Sequence, residues 1–280
     1  MRTIPEQLTI IDTHLHLWDI QRMVYPWLDD VPAIRKTFLV ADYREATIGL
    51  PIEKMVFVQA GCLPGGFLGE VRFVTEQAQQ DDRIQGIVAY APLEQGSGVA
   101  TALESLKEFP LVKGVRRMYD ETPELCRTPA FLQGVRLLPQ YGFSMDLSVR
   151  PHAIPHTLEM IAACPHTPFI LDHLGKPRIS AGAWEEYKHH IKKLAAFPNV
   201  TAKLSGLITE ADHRYWTPEE LEPYIQYAVD CFGEDRLLFG SDWPVVTQAG
   251  SCRQWLDALL EGLRHYDTTI IRKIFCENAM

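Results

Sequence analysis

The sequence lacks the features that would direct this chain toward nucleic acid or a membrane. Its 280 residues include 27 lysines and arginines against 36 aspartates and glutamates, a formal net charge of −9, and no run of five or more basic residues. An acidic chain without a basic cluster has little electrostatic attraction to polyanions, so we expect neither nucleic acid nor an anionic membrane as its main partner. No uninterrupted apolar run approaches the ~20 residues of a transmembrane helix.

The six cysteines are scattered along the chain and form no CxxC pair. Such usage is typical of reduced thiols and argues against a disulfide framework or a zinc ribbon. Residues 1–7 contain no apolar segment like that of a signal peptide. We therefore expect a cytoplasmic protein.

Three common catalytic and nucleotide-binding motifs are also absent. There is no glycine-rich dinucleotide fingerprint, and the glycine-rich segment 61–69 lacks the GxxxxGK[ST] pattern of a phosphate-binding loop. No GxSxG motif is present either. Ser241 precedes Asp242, and strand alternation should turn the two side chains apart, so covalent serine catalysis is disfavoured.

Eight short apolar segments alternate with helical ones along the chain. The first predicted strand begins near Leu8 and ends in His14 and His16; the others cover 55–58, 84–92, 111–118, 143–150, 168–173, 199–205 and 237–242. Strands separated by helices are parallel and joined by right-handed crossovers. This count predicts an α/β fold in which residues 1–280 form one (β/α)₈ TIM-type barrel. An open doubly wound sheet is the alternative, and it would require that one of the eight strands is misassigned.

The helical segments have recognisable starts. Thr128-Pro129 and Thr217-Pro218 combine an N-cap residue with proline at the first helical position, and Asp42 is expected to cap a short helix to Ile48. The remaining predicted helices cover 70–80, 99–109, 154–164, 184–197, 254–263 and 267–276. Residues 19–36, which include two prolines, are predicted to form a structured loop that covers a site.

Polar residues at the strand ends converge on one end of the predicted barrel, where active sites of this fold lie. His14 and His16 are two positions apart on one strand and so project together. Two such imidazoles can clamp a metal ion or flank a polarised substrate. His173 ends the sixth strand and Asp242 the eighth. The same end carries Gln59, Arg116, Arg117, Ser148, Arg150, Lys203 and Ser205, with Trp18, Tyr25, Trp27 and Trp243 on nearby loops.

These motifs resemble the amidohydrolase superfamily. His14-Leu15-His16 is similar to its strand-one HxH, Leu171–Gly175 to its strand-six histidine and Phe239–Pro244 to its strand-eight aspartate. The surrounding words DTHLHLWD (12–19), YPWL (25–28), KGVRR (113–117), DHLGKP (172–177) and KLSGL (203–207) resemble the amidohydrolase-2 branch of sugar and muconate-type lactonases, in particular L-fuconolactonase-like and L-rhamnonolactonase-like enzymes. The resemblance spans Ile10 to Asn278.

The resemblance implies a hydrolase of carbohydrate catabolism that opens a small-molecule sugar-acid lactone. Binuclear members use a strand-four bridge and a strand-five histidine. Here Lys113 lies well before the arginine pair, and the fifth strand ends in Ser148-Val149-Arg150. The resemblance therefore implies at most one divalent ion, zinc first among them, on His14, His16, His173 and Asp242, or no metal at all.

The expected mechanism is direct attack of water on the lactone carbonyl. Asp242 is the expected general base, and His14, His16 and His173 either hold that carboxylate or carry the metal. Arg116 or Arg117 would stabilise the oxyanion or bind a substrate carboxylate; alternation turns only one of them inward and leaves the other for a salt bridge. The expected substrate contacts further include Trp18, Trp27, Gln59 and Lys203.

Two other functions compete with this one. A metal-dependent decarboxylase of the same branch would share the HxH, the histidine and the aspartate. A non-catalytic sugar- or metal-binding barrel is the other alternative, because the same fold supports many different functions.

Overall fold

The computed structural model describes residues 8–280, so residues 1–7, where the sequence predicts no signal peptide, lie outside the described part. Eight strands form one sheet in which every neighbouring pair is parallel and spatial order follows chain order. They are β1 (Ile10–Leu15), β2 (Ile52–Val58), β3 (Ile84–Ala89), β4 (Val112–Arg116), β5 (Ser144–Leu147), β6 (Phe169–Leu171), β7 (Val200–Leu204) and β8 (Leu237–Phe239).

Backbone contacts between the first and the last strand close the barrel. The Asp242 N–H donates to the His14 carbonyl at 2.8 Å, and the His16 N–H donates to the Trp243 carbonyl at 2.7 Å. Below them, the Thr13 hydroxyl donates to the Phe239 carbonyl at 2.6 Å. The predicted (β/α)₈ barrel is confirmed, and its seam runs through the residues expected to do the chemistry.

Helices connect the strands and cover the outside of the barrel. They are α1 (Val40–Ala46), α2 (Phe67–Gln80), α3 (Ala100–Lys107), α4 (Pro129–Tyr141), α5 (Ile154–Ala163), α6 (Trp184–Ala195), α7 (Leu207–Glu210), α8 (Pro218–Phe232), α9 (Cys252–Gly262) and α10 (Thr268–Phe275). The Thr128 and Thr217 hydroxyls accept hydrogen bonds from backbone N–H groups three residues on, each at 3.3 Å, as the capping pattern predicts.

The prediction for Asp42 is wrong by one helical turn. The helix begins at Val40, and Asp42 lies inside the first turn, where its carboxylate accepts the Leu39 N–H at 2.7 Å. An acidic residue there satisfies a free N–H and suits the positive end of the helix. The helices predicted from residues 70 and 254 also begin earlier, at Phe67 and Cys252.

Successive residues of β5 face opposite sides of the sheet. Met145 and Leu147 are fully buried in the apolar core, whereas Asp146 and Ser148 each line a cavity. The interior of this barrel is therefore partly polar, and its apolar core lies largely between the sheet and the helices.

Two sequence expectations concern the whole chain. All six cysteines are free thiols. Over residues 8–280, no helix combines the length and the apolar character that a bilayer crossing requires.

Candidate active site

A cavity of about 870 Å³ opens at the carboxyl ends of the strands. His16, His173 and Asp242 reach it from the strand ends, together with Arg116 and Ser148. Loop residues 26–31 and 60–64 form one wall, where the partly buried Trp27 donates its indole N–H to the Ala60 carbonyl at 2.7 Å. The long loop after β1 therefore borders the cavity, as its length predicts.

Three imidazole nitrogens surround one carboxylate oxygen at this cavity. The Nε2 atoms of His16, His14 and His173 lie 3.4, 3.7 and 3.8 Å from the Asp242 Oδ1. The Nε2 atoms of His14 and His16 are 3.2 Å apart. All four residues are at most 5% exposed, so these groups face one another in a site largely shielded from solvent.

The remaining ring nitrogens of His16 and His173 are anchored. The Val58 carbonyl lies 2.7 Å from His16 Nδ1, and because a carbonyl only accepts, His16 carries its proton on Nδ1 and presents a bare Nε2. His173 Nδ1 lies 2.8 Å from the Ser205 hydroxyl. Partners of this kind fix the ring orientation of metal-binding histidines.

His14 has two opposite partners at its Nδ1 atom. The Asp172 Oδ1, an acceptor, lies 3.1 Å away, and the Lys203 ammonium, a donor, lies 3.3 Å away. With the proton on Nδ1, the His14 Nε2 is a free ligand. With the proton on Nε2, His14 can donate directly to the bare Nε2 of His16. The same cluster is therefore compatible with a bound cation or with an internal hydrogen bond.

Burial and charge set the protonation states of the cluster. Burial holds the pKa of His14 well below its usual value, although Asp172 opposes the shift. Burial likewise lowers the pKa of His173 to about 4, against the charges of Asp242 and Asp172. Burial alone would raise the pKa of Asp242, but the facing imidazoles, His173 first among them, hold it below its usual value. At neutral pH His14 and His173 are neutral and Asp242 is ionised.

This donor set fits one divalent metal ion. A tetrahedral zinc ion with bonds of about 2.0–2.2 Å holds its ligands roughly 3.3–3.6 Å apart. The His14 and His16 Nε2 atoms are 3.2 Å apart, and the three imidazole nitrogens lie 3.4–3.8 Å from the Asp242 Oδ1, which is close to that spacing. Neutral imidazoles and an ionised carboxylate are the required forms of these ligands. Within the described residues, two groups of three side chains lie close enough to hold an ion: His14, His16 and Asp242, and His14, Asp172 and His173.

A balanced group of buried charges supports the cluster from inside the barrel. Lys203 pairs with Asp146 and, at 3.1 Å, with Asp172. Arg116 donates to Asp172 at 3.1 Å and to the Gln59 carbonyl. Burial would lower the pKa of Lys203, but Asp146 and Asp172 raise it, so the lysine stays charged. Two cations and two carboxylates thus offset one another beneath His14.

Several residues expected to contact substrate do not line the cavity. Trp18 is fully buried and donates its indole N–H to the Lys36 carbonyl at 2.6 Å. The Gln59 side chain accepts the Gly61 N–H at 2.6 Å, and Lys203 belongs to the buried charge group. Arg117 turns outward to Glu94 at 3.0 Å. We therefore keep only Arg116 and Trp27 of these as proposed substrate contacts.

The cavity also contains residues that the sequence interpretation passed over. Lys176 and Glu210 line it, and Asp172 supports His14 from below. The sequence could have indicated Asp172 and Lys176, because both belong to the DHLGKP motif (172–177) that contains His173. Glu210 lies at the end of α7, a four-residue helix that the sequence does not indicate.

Comparison with known proteins places the chain in a defined group. The sequence profile of the amidohydrolase family matches residues 11–280. An uncharacterized protein of Sinorhizobium fredii is 31% identical over 257 residues, which cover 85% of this chain and 86% of the relative. An L-fucono-1,5-lactonase of Burkholderia ambifaria is 29% identical over 245 residues, covering 86% of this chain and 82% of the relative.

A solved structure shares the fold over nearly the whole length. An amidohydrolase from Burkholderia multivorans, crystallised with bound zinc, superposes with a TM-score of 0.87 at 24% identity, and the match covers 97% of both chains.

Proposed function

This chain belongs to the amidohydrolase family, and on that premise we propose that it is a lactonase that opens a sugar-acid lactone to the free acid. The observation that carries the proposal is the Asp242 carboxylate, held 3.4–3.8 Å from three imidazole nitrogens beside an open cavity. The similarity to an L-fucono-1,5-lactonase over most of both chains supports a lactone substrate.

Asp242 is the proposed general base. It is ionised at neutral pH and lines the cavity, so it can take a proton from a water molecule that attacks the lactone carbonyl. When the ring carbon–oxygen bond breaks, the same carboxyl returns that proton to the departing alkoxide. His16 and His173, each anchored through Nδ1, keep the carboxylate in one orientation.

His14, His16, His173 and Asp242 are the proposed ligands of a metal ion. When bound there, a divalent ion would supply Lewis acidity, which polarises a carbonyl group and lowers the pKa of water. The carbonyl of Val58, the Ser205 hydroxyl and Asp172 would keep the imidazoles aligned toward it.

The cavity lining supports a polyhydroxylated ring as substrate. Arg116, Ser148, Glu210 and Gln248 offer donors and acceptors, and Trp27 offers an apolar edge. Arg116 Nε is buried and has no partner among the described residues. A ligand without hydroxyl groups would leave polar groups such as Arg116 Nε unpaired, at about 1–3 kcal/mol each, so an apolar ester should be a poor substrate.

A pH-indicator screen tests the proposal. The purified protein is assayed against five- and six-membered aldono-lactones, aryl esters and unsubstituted lactones, with and without a chelator. We expect one acid released per aldono-lactone opened, at a rate far above that for aryl esters.

Two outcomes would count against the proposal. Release of carbon dioxide from aromatic or other carboxylic acids, without lactone opening, would favour the decarboxylase. Tight lactone binding without turnover, with or without added zinc, would favour the non-catalytic barrel.

A further inference from the structure

The turn after β6 has a backbone conformation that most residues avoid. His173, Leu174 and Lys176 have φ angles of 52°, 50° and 50°, and Gly175 between them has 73°. Only glycine adopts this left-handed region without a steric penalty. The Lys176 N–H donates to the His173 carbonyl at 2.9 Å and closes the turn. Strained turns of this kind persist where they position functional groups, and this one directs both His173 and Lys176 into the cavity.

The Lys176 ammonium is free to bind a ligand. The side chain is partly buried and lines the cavity, yet no ion pair or side-chain hydrogen bond joins it to any other residue within 8–280. Its cationic neighbours are engaged: Arg116 with Asp172 and the Gln59 carbonyl, and Arg150 with Glu210 at 3.5 Å.

The surroundings of Lys176 favour an incoming negative charge. Burial lowers the pKa of Lys176, and the positive charges of Arg116 and Arg150 lower it further, more than the carboxylates of Asp120 and Glu210 raise it. A partly desolvated cation close to other cations is stabilised when an anion reaches it. His173, three residues earlier on the same turn, lies 3.8 Å from Asp242. The cavity therefore presents a base and a free cation on neighbouring parts of its wall.

From this arrangement we propose that Lys176 is a catalytic residue, whose ammonium donates to the lactone carbonyl oxygen as that oxygen becomes an oxyanion. The inference rests on the proposed lactonase function and assigns one more role within it. Water forms a bond to the carbonyl carbon, its proton passes to Asp242, and the carbonyl electron pair moves onto the oxygen beside Lys176. That electron pair then re-forms the carbonyl double bond as the ring carbon–oxygen bond breaks, and the proton on Asp242 moves to the departing alkoxide. A fixed donor placed where charge develops is among the strongest catalytic devices.

Steady-state kinetics with L-fucono-1,5-lactone give the first test. Lys176→Met keeps the length of the side chain and removes its charge, so kcat should fall by about 10²–10³-fold while KM changes less than about threefold. Lys176→Arg should recover part of the lost kcat. Lys193→Met, the same change on the exposed face of α6, should match the wild type. An unchanged kcat, or a rise in KM alone, would overturn the assignment.

Analogue binding measured by calorimetry gives a second test that does not depend on turnover. A cyclic phosphonate imitates the charged tetrahedral state, and the corresponding lactam imitates the neutral substrate. Lys176→Met should weaken phosphonate binding at least about tenfold and leave lactam binding within about threefold. Equal losses for both ligands would show that Lys176 only holds substrate. If the wild type and Lys176→Met open lactones equally well, the role of Lys176 is wrong but the proposed function stands. If the wild type opens no lactone, both the proposed function and the role of Lys176 are wrong.

Discussion

The Nε2 atoms of His14 and His16 lie 3.2 Å apart. His16 gives its single N–H to the Val58 carbonyl, so its Nε2 is a bare acceptor. A proton on the His14 Nε2 or a metal ion between the rings must therefore stabilise this contact. The proton and the ion occupy the same place and exclude one another.

We expect at most one divalent ion per chain, because the two groups of donors that could hold an ion share His14. Elemental analysis of the purified protein, before and after dialysis against a chelator, gives the stoichiometry. His16→Asn should abolish binding, and His152→Asn, an exposed histidine that contacts the Asp120 carbonyl, should not. Two tightly bound ions in the wild type would contradict the inference that β4 and β5 lack the ligands of a second ion.

Asp242→Asn tests the general base. Asparagine is nearly isosteric but cannot accept the proton of water, so kcat for the best lactone should fall by about 10²–10⁴-fold. The fold should persist, because Asp242 lies at the mouth of the barrel and its backbone N–H still reaches the His14 carbonyl. Circular dichroism and thermal unfolding check this point. A variant with more than a tenth of wild-type kcat would remove Asp242 from the role.

Arg116→Met and Arg117→Met form a matched pair. Arg116 lines the cavity and pairs with the fully buried Asp172; its loss leaves that carboxylate with one cation fewer and should destabilise the fold by about 3 kcal/mol. The Arg117–Glu94 pair is partly exposed and should contribute below about 1 kcal/mol.

Urea unfolding and kcat/KM separate the two arginine variants. We expect kcat/KM to fall at least about 100-fold in Arg116→Met, because both the support of His14 and a cavity donor are lost. Arg117→Met should stay within about threefold. A larger loss in Arg117→Met than in Arg116→Met would reverse the assignment of the inward arginine.

Glu70 should make stability depend on pH. Its carboxyl is buried behind the cavity wall, accepts the Ala60 N–H at 3.0 Å and lies beside Tyr25 and Cys62. Burial raises its pKa from 4.5 to about 7, so the native state binds the proton more tightly than the unfolded chain. This contribution to stability is complete below pH 4.5 and is lost as pH rises to about 7, a total of about 3 kcal/mol.

Glu70→Gln should remove most of this dependence of the free energy of unfolding on pH. The amide oxygen still accepts the Ala60 N–H, while no charge has to form in the buried site. Urea unfolding at pH 5 and pH 8 measures the effect, and the variant should be more stable than the wild type at pH 8. Glu76→Gln, on the exposed side of the same helix and paired with Arg22, is the control. An equal pH dependence in wild type and Glu70→Gln would contradict the account.

The barrel, and the grouping of most polar residues at its mouth, can be predicted from the sequence alone. Eight apolar segments separated by helical ones leave few topologies, because parallel strands need crossovers of one hand. In a barrel the carboxyl ends of all strands meet at one edge. His14, His16, His173 and Asp242 could therefore be grouped from their strand-end positions alone, although β6 and β8 are only three residues long.

Tertiary contacts, by contrast, set which polar side chains face the cavity and which lie beneath it. The period of two fails at strand exits: the β1–β2 register shifts between Asp12 and Leu15, and the chain after β6 enters a left-handed turn. Lys203 has the same sequence signature as a rim residue, yet two buried carboxylates hold it inside the barrel. Lys176 lies beyond its strand, and the strained turn brings it back to the cavity. A local pattern cannot show such directions, because partners distant in sequence and backbone geometry set them.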